Sequence, residues 1–252
     1  MKTIRAVERA IDLLLTISQE KSLREVAEIS RQLGLSRATV YRVIHTLELK
    51  GLVRSFGEPL KVELGPAAST IARAWDSQTP VLAPCNQFVD ELARETRETA
   101  ALMVPTGDGF TMCMYEVRGS HALSFSRGVG HIQDSHRAAS SKAILAFLPA
   151  PPASLAVPAK ERKTYGRELE ETRTKGFALS VSELIPGAAS LAAPVFGGGG
   201  AVLASICLFG AAARFRDATL AGYIRMLLDA AQRCSAAMGA QSGHATTAAM
   251  LK

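Results

Sequence analysis

Apolar residues recur with helical spacing at Ile4, Val7, Ile11, Leu14 and Leu15, which predicts a helix from about residue 4 to 18. Ser22-Leu-Arg-Glu25 has the form of a capping box, so a second helix is expected to start there and run to about Leu33, where Gly34 breaks it. Ser36 is placed to cap a third helix that runs to about Lys50 and stops at Gly51. Two short runs, LVRSF and LKVEL, flank Gly57-Glu58-Pro59 and read as a two-stranded ribbon. Gly65-Pro66 ends the ribbon, and Pro66 suits the first turn of a linker helix that stops before Pro80.

Beyond residue 80 helical and alternating patterns mix. Helices are expected at roughly 81–97, from near Ser140, at 159–175 and at 216–238. Strands are expected around 99–105, 110–117 and 122–127, with three more between 177 and 209. The stretch from Leu184 to Ala213 has no charged residue, yet Pro186, Pro194 and the run Gly197 to Gly200 make it two strands joined by a glycine turn rather than a membrane helix. The fold class is therefore α/β (α+β), with no internal repeat. The divisions expected are residues 1–65, a linker helix at 66–79, a second domain at 80–239 and a flexible tail at 240–252.

Charge changes the picture of the first quarter. Residues 1–65 hold 11 of the 29 Lys and Arg against 8 of the 23 Asp and Glu, so half of the +6 net charge sits in that quarter. On the third helix, at 100° per residue, Val40, Val43, Ile44 and Leu47 share one side. Ala38, Arg42 and His45 lie opposite, with Arg37 and Tyr41 beside them near the N-terminal turns. Ser30, Gly34 and Val40 have the spacing that lets two helices cross closely in a helix-turn-helix. A helix so charged is suited to a DNA major groove, with the ribbon as a wing. The candidate DNA contacts are Ser36, Arg37, Ala38, Thr39, Tyr41, Arg42, His45 and Arg54, with Lys61 beside them on the wing. The charge taken alone would also fit a solvated basic face.

Other chemistries find less support. The charged N-terminus is not a signal peptide, and a cytoplasmic protein with reduced thiols and no membrane partner is expected. Cys85, Cys113, Cys207 and Cys234 lack metal-ligand spacing, so neither a metal nor a cofactor is expected. The FGGGGAV run lacks the Lys-Ser/Thr of a phosphate loop. His136, Ser140, Ser141 and Lys142 bring nucleophile and base types into one segment, so a small-acid hydrolase or other enzyme, with the N-terminal domain as an accessory module, is the alternative. No G-x-S-x-G or S-x-x-K motif surrounds them. The small residues Ala139, Ser140 and Ser141 open a helix whose N–H groups would suit a carboxylate, although from the residues alone Ser140 as a plain helix cap is the favoured reading. Arg127 is a candidate to neutralise such a carboxylate, against the reading of an ordinary surface arginine.

Four blocks in order carry a family resemblance: VERAIDLLLTIS, LGLSRATVYRVIHTLELKGLV, HRAASSKAILAFLP and SELIPGAASLAAPV. Over about residues 4 to 238 the chain resembles the IclR family of bacterial transcriptional regulators. The resemblance implies an N-terminal winged helix-turn-helix, a linker helix, and a GAF-like effector-binding domain. It also implies homodimers or homotetramers on double-stranded operator DNA, acting as repressor or activator. It turns the 139–141 segment into effector pocket lining and adds Ser180, Ser190, Cys207 and Phe209. Ser180 stands where the family usually has an acid, and Ser190 where it often has a cysteine. Cys207 and Phe209 stand where small-acid sensors often have serine. These departures imply a larger, less polar effector than glyoxylate or pyruvate, such as an aromatic carboxylic acid.

Overall fold

Residues 3–18, 23–78, 83–106, 110–133, 136–150, 155 and 157–240 are described by a computed structural model of the chain. They form two compact units, 1–80 and 81–252. The expected flexible tail beyond 240, the Ser22 hydroxyl of the expected capping box and the Trp75 side chain lie outside the described residues.

In the first unit, α1 (Arg5–Ser18), α2 (Val26–Leu33) and α3 (Arg37–Glu48) enclose a core of Leu13, Ile17, Val26, Ile29, Val40 and Ile44. Of the apolar stripe that announces α1 in the sequence, only Leu14 packs against this core. Ile4, Val7, Ile11 and Leu15 are all exposed, Ile4 by 70%, while Leu13, Thr16 and Ile17 on the opposite side are buried. The second helix also begins later than the capping-box pattern implies. Arg24 and Glu25 are extended, pairing with Val62 and Lys61, and α2 starts at Val26 with no side-chain cap. Backbone pairing to the sheet supplies there what a capping side chain would otherwise supply. The expected ribbon is thus a three-stranded antiparallel sheet in the order β1 (Arg24–Glu25), β3 (Lys61–Leu64), β2 (Val53–Phe56). The linker helix α4 spans Pro66–Gln78.

The second unit is built on a six-stranded antiparallel sheet, β6-β5-β4-β9-β8-β7. Its strands are β4 (Thr99–Pro105), β5 (Thr111–Val117), β6 (Ile132–Gln133), β7 (Ala178–Val181), β8 (Ala188–Phe196) and β9 (Val202–Ala211). Helices cover both faces, so β4 is buried along nearly its whole length rather than on alternate residues. Under α5 (Ala83–Thr96) and α8 (Asp217–Ala237) the sheet presents large side chains, among them Leu102, Leu191, Ile206 and Leu208. Under α6 (Ala139–Leu145) it presents Ala101, Ala178, Ala192 and Cys207, which lets that helix lie close. Helix α7 (Arg162–Lys175) completes this layer.

The strand expected at 122–127 is absent. Residues 118–131 form an irregular segment, and the edge of β5 pairs instead with the two-residue β6. Two carboxylates hold this segment. Glu116 accepts from the Ser126 hydroxyl and from the backbone N–H groups of Arg127 (2.9 Å) and Gly128 (3.2 Å). Glu98, fully buried, binds both arms of Arg214 and accepts from the Tyr223 hydroxyl at 3.2 Å, and Arg214 Nη2 also donates to the Leu123 carbonyl at 3.1 Å.

The segment leaves the sheet through Gly119. A Cβ there would sit 2.7 Å from the Arg97 carbonyl oxygen and equally close to the Glu98 and Thr99 backbone, none of which can turn away. Gly119→Ala is therefore expected to cost about 1–3 kcal/mol in urea unfolding. Gly222→Ala, in open space within α8, is expected to gain about 0.5–1 kcal/mol, because glycine is the poorer helix former. Equal stability of the two variants would contradict this packing.

Candidate functional site

Two places in the chain bring chemistry together, one in each unit. In the first, Gly34 closes α2 in the left-handed conformation (φ 63°), and the Ser30 hydroxyl donates to the Leu35 carbonyl at 2.6 Å across the turn. The Ser36 side chain then caps α3 by accepting from the Thr39 N–H at 3.2 Å. Val40, Ile44 and Leu47 are buried, while Arg37, Ala38, Tyr41, Arg42 and His45 are exposed along the other side of the helix. The one acid of α3, Glu48, is committed elsewhere: it accepts from the N–H and hydroxyl of Ser55 on β2 at 2.8 and 2.9 Å, tying the helix end to the wing. The exposed face of α3 is left without a competing carboxylate. Arg54, in contrast, bonds Glu63 across the ribbon, where the two residues are in register.

One residue escaped the sequence reading. Arg9 of α1 lines a groove of about 260 Å³ with Thr39, Arg42 and Thr46 of α3, so its charge adds to that of the third helix. Its signal was its position four residues after Arg5 and four before the buried Leu13, on the packing side of α1 and opposite the exposed apolar stripe.

In the second unit a pocket opens on the small-residue side of the sheet. Register places Ser180, Ser190 and Phe209 side by side across β7, β8 and β9, and this row forms the pocket floor. Ser140 and Ala138 line it from the start of α6, Phe125 and Arg127 from the 118–131 segment, and Glu183, Leu184 and Ile185 from the β7–β8 loop. Of the sequence-derived candidates, Arg127, Ser140, Ser180, Ser190 and Phe209 thus meet at one wall or floor. Ala139, Ser141 and Cys207 do not line it. Ala139 and Cys207 belong to the small-residue core one register step further in, beneath α6. Ser141 is fully buried, 3.2 Å from the Thr111 hydroxyl. Burial pushes the Cys207 thiol up to about 12, so it stays protonated. The N-cap of α6 is Ala138, so Ser140 does not cap the helix.

Lys142, almost wholly buried, meets Glu183 at 2.8 Å and Glu168 at 2.9 Å, so Glu183, the one carboxylate among the described lining residues, is already paired. Arg127 is half-buried at the wall, and among the described residues no ion pair includes it. Burial weakens its hold on its proton and Glu116 strengthens it. Its guanidinium Nη1 lies 3.4 Å from Nε2 of His131.

The same contacts take apart the enzymatic constellation. His136 faces Glu161 at 3.3 Å, Ser141 faces Thr111, and Lys142 is occupied by two acids. Ser140 Oγ lies 3.5 Å from the Thr111 hydroxyl. None of these pairs joins a nucleophile to a base, which covalent catalysis requires. Among the described residues there is no cluster of metal-binding side chains, and no helix is long and apolar enough to cross a membrane.

Comparison with known proteins follows the same division. Residues 6–55 match the IclR helix-turn-helix domain, and residues 75–236 match the family described as bacterial transcriptional regulator IclR C-terminal. The chain is 27% identical over 248 residues to the HTH-type transcriptional regulator BhcR of Paracoccus denitrificans, covering 93% of this chain and 88% of that one. It is 29% identical over 231 residues to the HTH-type transcriptional regulator Rv1719 of Mycobacterium tuberculosis, covering 87% and 88%. Among solved structures it is similar to an IclR homolog from Microbacterium hydrocarbonoxydans complexed with 4-hydroxybenzoate, with TM-score 0.74, 18% identity, and coverage of 92% and 98%. The family match spans both units, and the chain belongs to the IclR family of bacterial transcriptional regulators: it is a DNA-binding regulator with an effector-binding domain, not an enzyme.

Proposed function

We propose that α3 enters the major groove of operator DNA and that a small aromatic carboxylic acid, bound in the pocket of the second unit, controls this binding. The observation that carries the effector reading is Arg127, a half-buried cation at the wall of a pocket in which Glu183, the one carboxylate among the described lining residues, is already paired. Phe125, Leu184, Ile185 and Phe209 supply an apolar surround for a ring, and Ser180 and Ser190 supply hydroxyls for a polar substituent. The structural relative complexed with 4-hydroxybenzoate is of the same chemical class. The carboxylate position moves accordingly from residues 139–141 to Arg127 and Ser140, because Ala139 and Ser141 do not line the pocket. The cavity is only about 40 Å³, so an aromatic acid enters by displacing the irregular 118–131 and 182–187 segments.

On the DNA side, residues 1–65 act as the reading domain and 66–79 as the lever to the effector domain at 80–239. One α3 reads few base pairs, so two chains placed about 34 Å apart on a two-part site give the needed specificity. The exposed stripe Ile4, Val7, Ile11 and Leu15 on α1, with Ile71 on α4, is the apolar surface suited to pairing chains as homodimers, and homotetramers where dimers pair again. Such a regulator works in the cytoplasm, where its DNA is. The ligand changes operator affinity only as far as it favours one arrangement of the paired reading domains over another.

Two tests follow. Arg37→Ala and Arg42→Ala are each expected to weaken operator binding by about 1–3 kcal/mol in fluorescence anisotropy at fixed salt. A base-edge contact would lose preference at one base pair, whereas a phosphate contact would lose affinity uniformly; binding unchanged in both variants would refute the groove placement. Ser190→Trp fills the pocket floor and is expected to abolish carboxylate binding in calorimetry while leaving operator binding intact. If the unaltered protein binds none of a broad panel of aromatic and aliphatic carboxylates, the acid-sensor reading fails.

A further inference from the structure

Two nitrogen bases meet behind the pocket wall with one carboxylate near them, and that carboxylate is turned to other work. Glu116 of β5 is spent on the Ser126 hydroxyl and on the N–H groups of Arg127 and Gly128, rather than on the Arg127 guanidinium. The guanidinium lies 3.4 Å from Nε2 of His131 instead. His131 is fixed in place: its N–H donates to the Gly128 carbonyl at 3.2 Å, and its carbonyl accepts from the Cys113 N–H at 2.9 Å. A guanidinium has only donors, so in this contact Nε2 of His131 must accept and the imidazole is neutral. Burial and the charge of Arg127 both hold His131 below its ordinary value, with Glu116 opposing them more weakly. No other charged group of the described residues acts on it in this way: Glu183, across the pocket, is paired with Lys142.

We propose that an anion bound at Arg127 carries a proton into the site with it, and that His131 is the residue that takes up that proton. A carboxylate pairing with Arg127 offsets the positive field that keeps His131 neutral and draws the guanidinium away from Nε2. Arg127⁺ then pairs with the ligand carboxylate, and His131⁺ behind it lies in the field of that pair and of Glu116. The free protein holds the imidazole low and the liganded protein raises it, so affinity tightens as pH falls through the interval between the two values, by at most about tenfold per pH unit. The ligand's own carboxyl group stays ionised throughout, since unperturbed carboxyl groups titrate near pH 4. This inference rests on the reading of Arg127 as the carboxylate contact, and it adds that the regulator responds to pH and anion together.

Calorimetry on the full chain tests it, with benzoate, 4-hydroxybenzoate, phenylacetate and pyruvate as probes in phosphate and in Tris at the same pH near neutrality. The expected result is a buffer-dependent heat corresponding to uptake of up to about one proton per ligand, with affinity tightening several-fold between about pH 8 and pH 6.5. His131→Gln, which keeps an acceptor for Arg127, is expected to bind the same probe with no proton uptake and a flat pH profile. Binding with buffer-independent heat in the unaltered protein overturns the inference and leaves the carboxylate reading standing; this measurement needs no variant to fold. Uptake that persists in His131→Gln also overturns it. Binding of no probe at all overturns both.

Discussion

The pocket has a wall made of backbone that belongs to no helix or strand, and two carboxylates, one fully buried and one half-buried, hold residues 118–131. Glu98 and Glu116 do this from opposite ends. Glu98 holds Arg214, which in turn holds the Leu123 carbonyl, while Glu116 gathers three donors from Ser126 to Gly128. A fully buried carboxylate is costly unless its partners are well placed, and removing one partner leaves the rest uncompensated. Phe125, on the pocket wall, lies between the two anchors, and Arg127 is held at the second through its own backbone N–H.

The sheet contributes the opposite quality. Apart from Met103, its α6-facing side is paved with alanine, serine and cysteine, so the helix settles directly on the strands and the pocket forms where the paving ends at Ser180, Ser190 and Phe209. The same economy governs the DNA-binding unit. Glu48, the only acid of α3, is turned into the wing, and the exposed face keeps its positive charge. In both units an acidic side chain is engaged locally beside arginines that no ion pair among the described residues includes: Arg37 and Arg42 on α3, and Arg127 at the pocket wall.

Most helices and strands were legible because their signals are local. The glycine at the end of α2, the serine cap of α3 and the glycine turn between β8 and β9 each act within a few residues. What the sequence misplaced depended on partners distant in the chain. Arg24 and Glu25 look like part of a helix start until β3 offers them a sheet edge. Residues 122–127 have strand-like composition but no strand to pair with, since β6 takes that edge. The pocket was partly visible for a similar reason. Ser180, Ser190 and Phe209 came from family resemblance, and their alignment in one register row is a property of three strands together. Cys207, only two residues from Phe209, falls beneath α6, where sequence distance gives no warning. The stripe on α1 shows the limit of periodicity most clearly: it predicts a helix without telling which face is inward.

Coupling between a carboxylate in the second unit and DNA on the first is read in the affinity of the full protein for DNA from upstream of its own gene, by anisotropy at fixed salt and pH, with and without a saturating carboxylate shown by calorimetry to bind. The expected change is at least about fivefold, matched by an equal change in carboxylate affinity when DNA is present. A carboxylate that fills the pocket yet leaves operator affinity unaltered would contradict it.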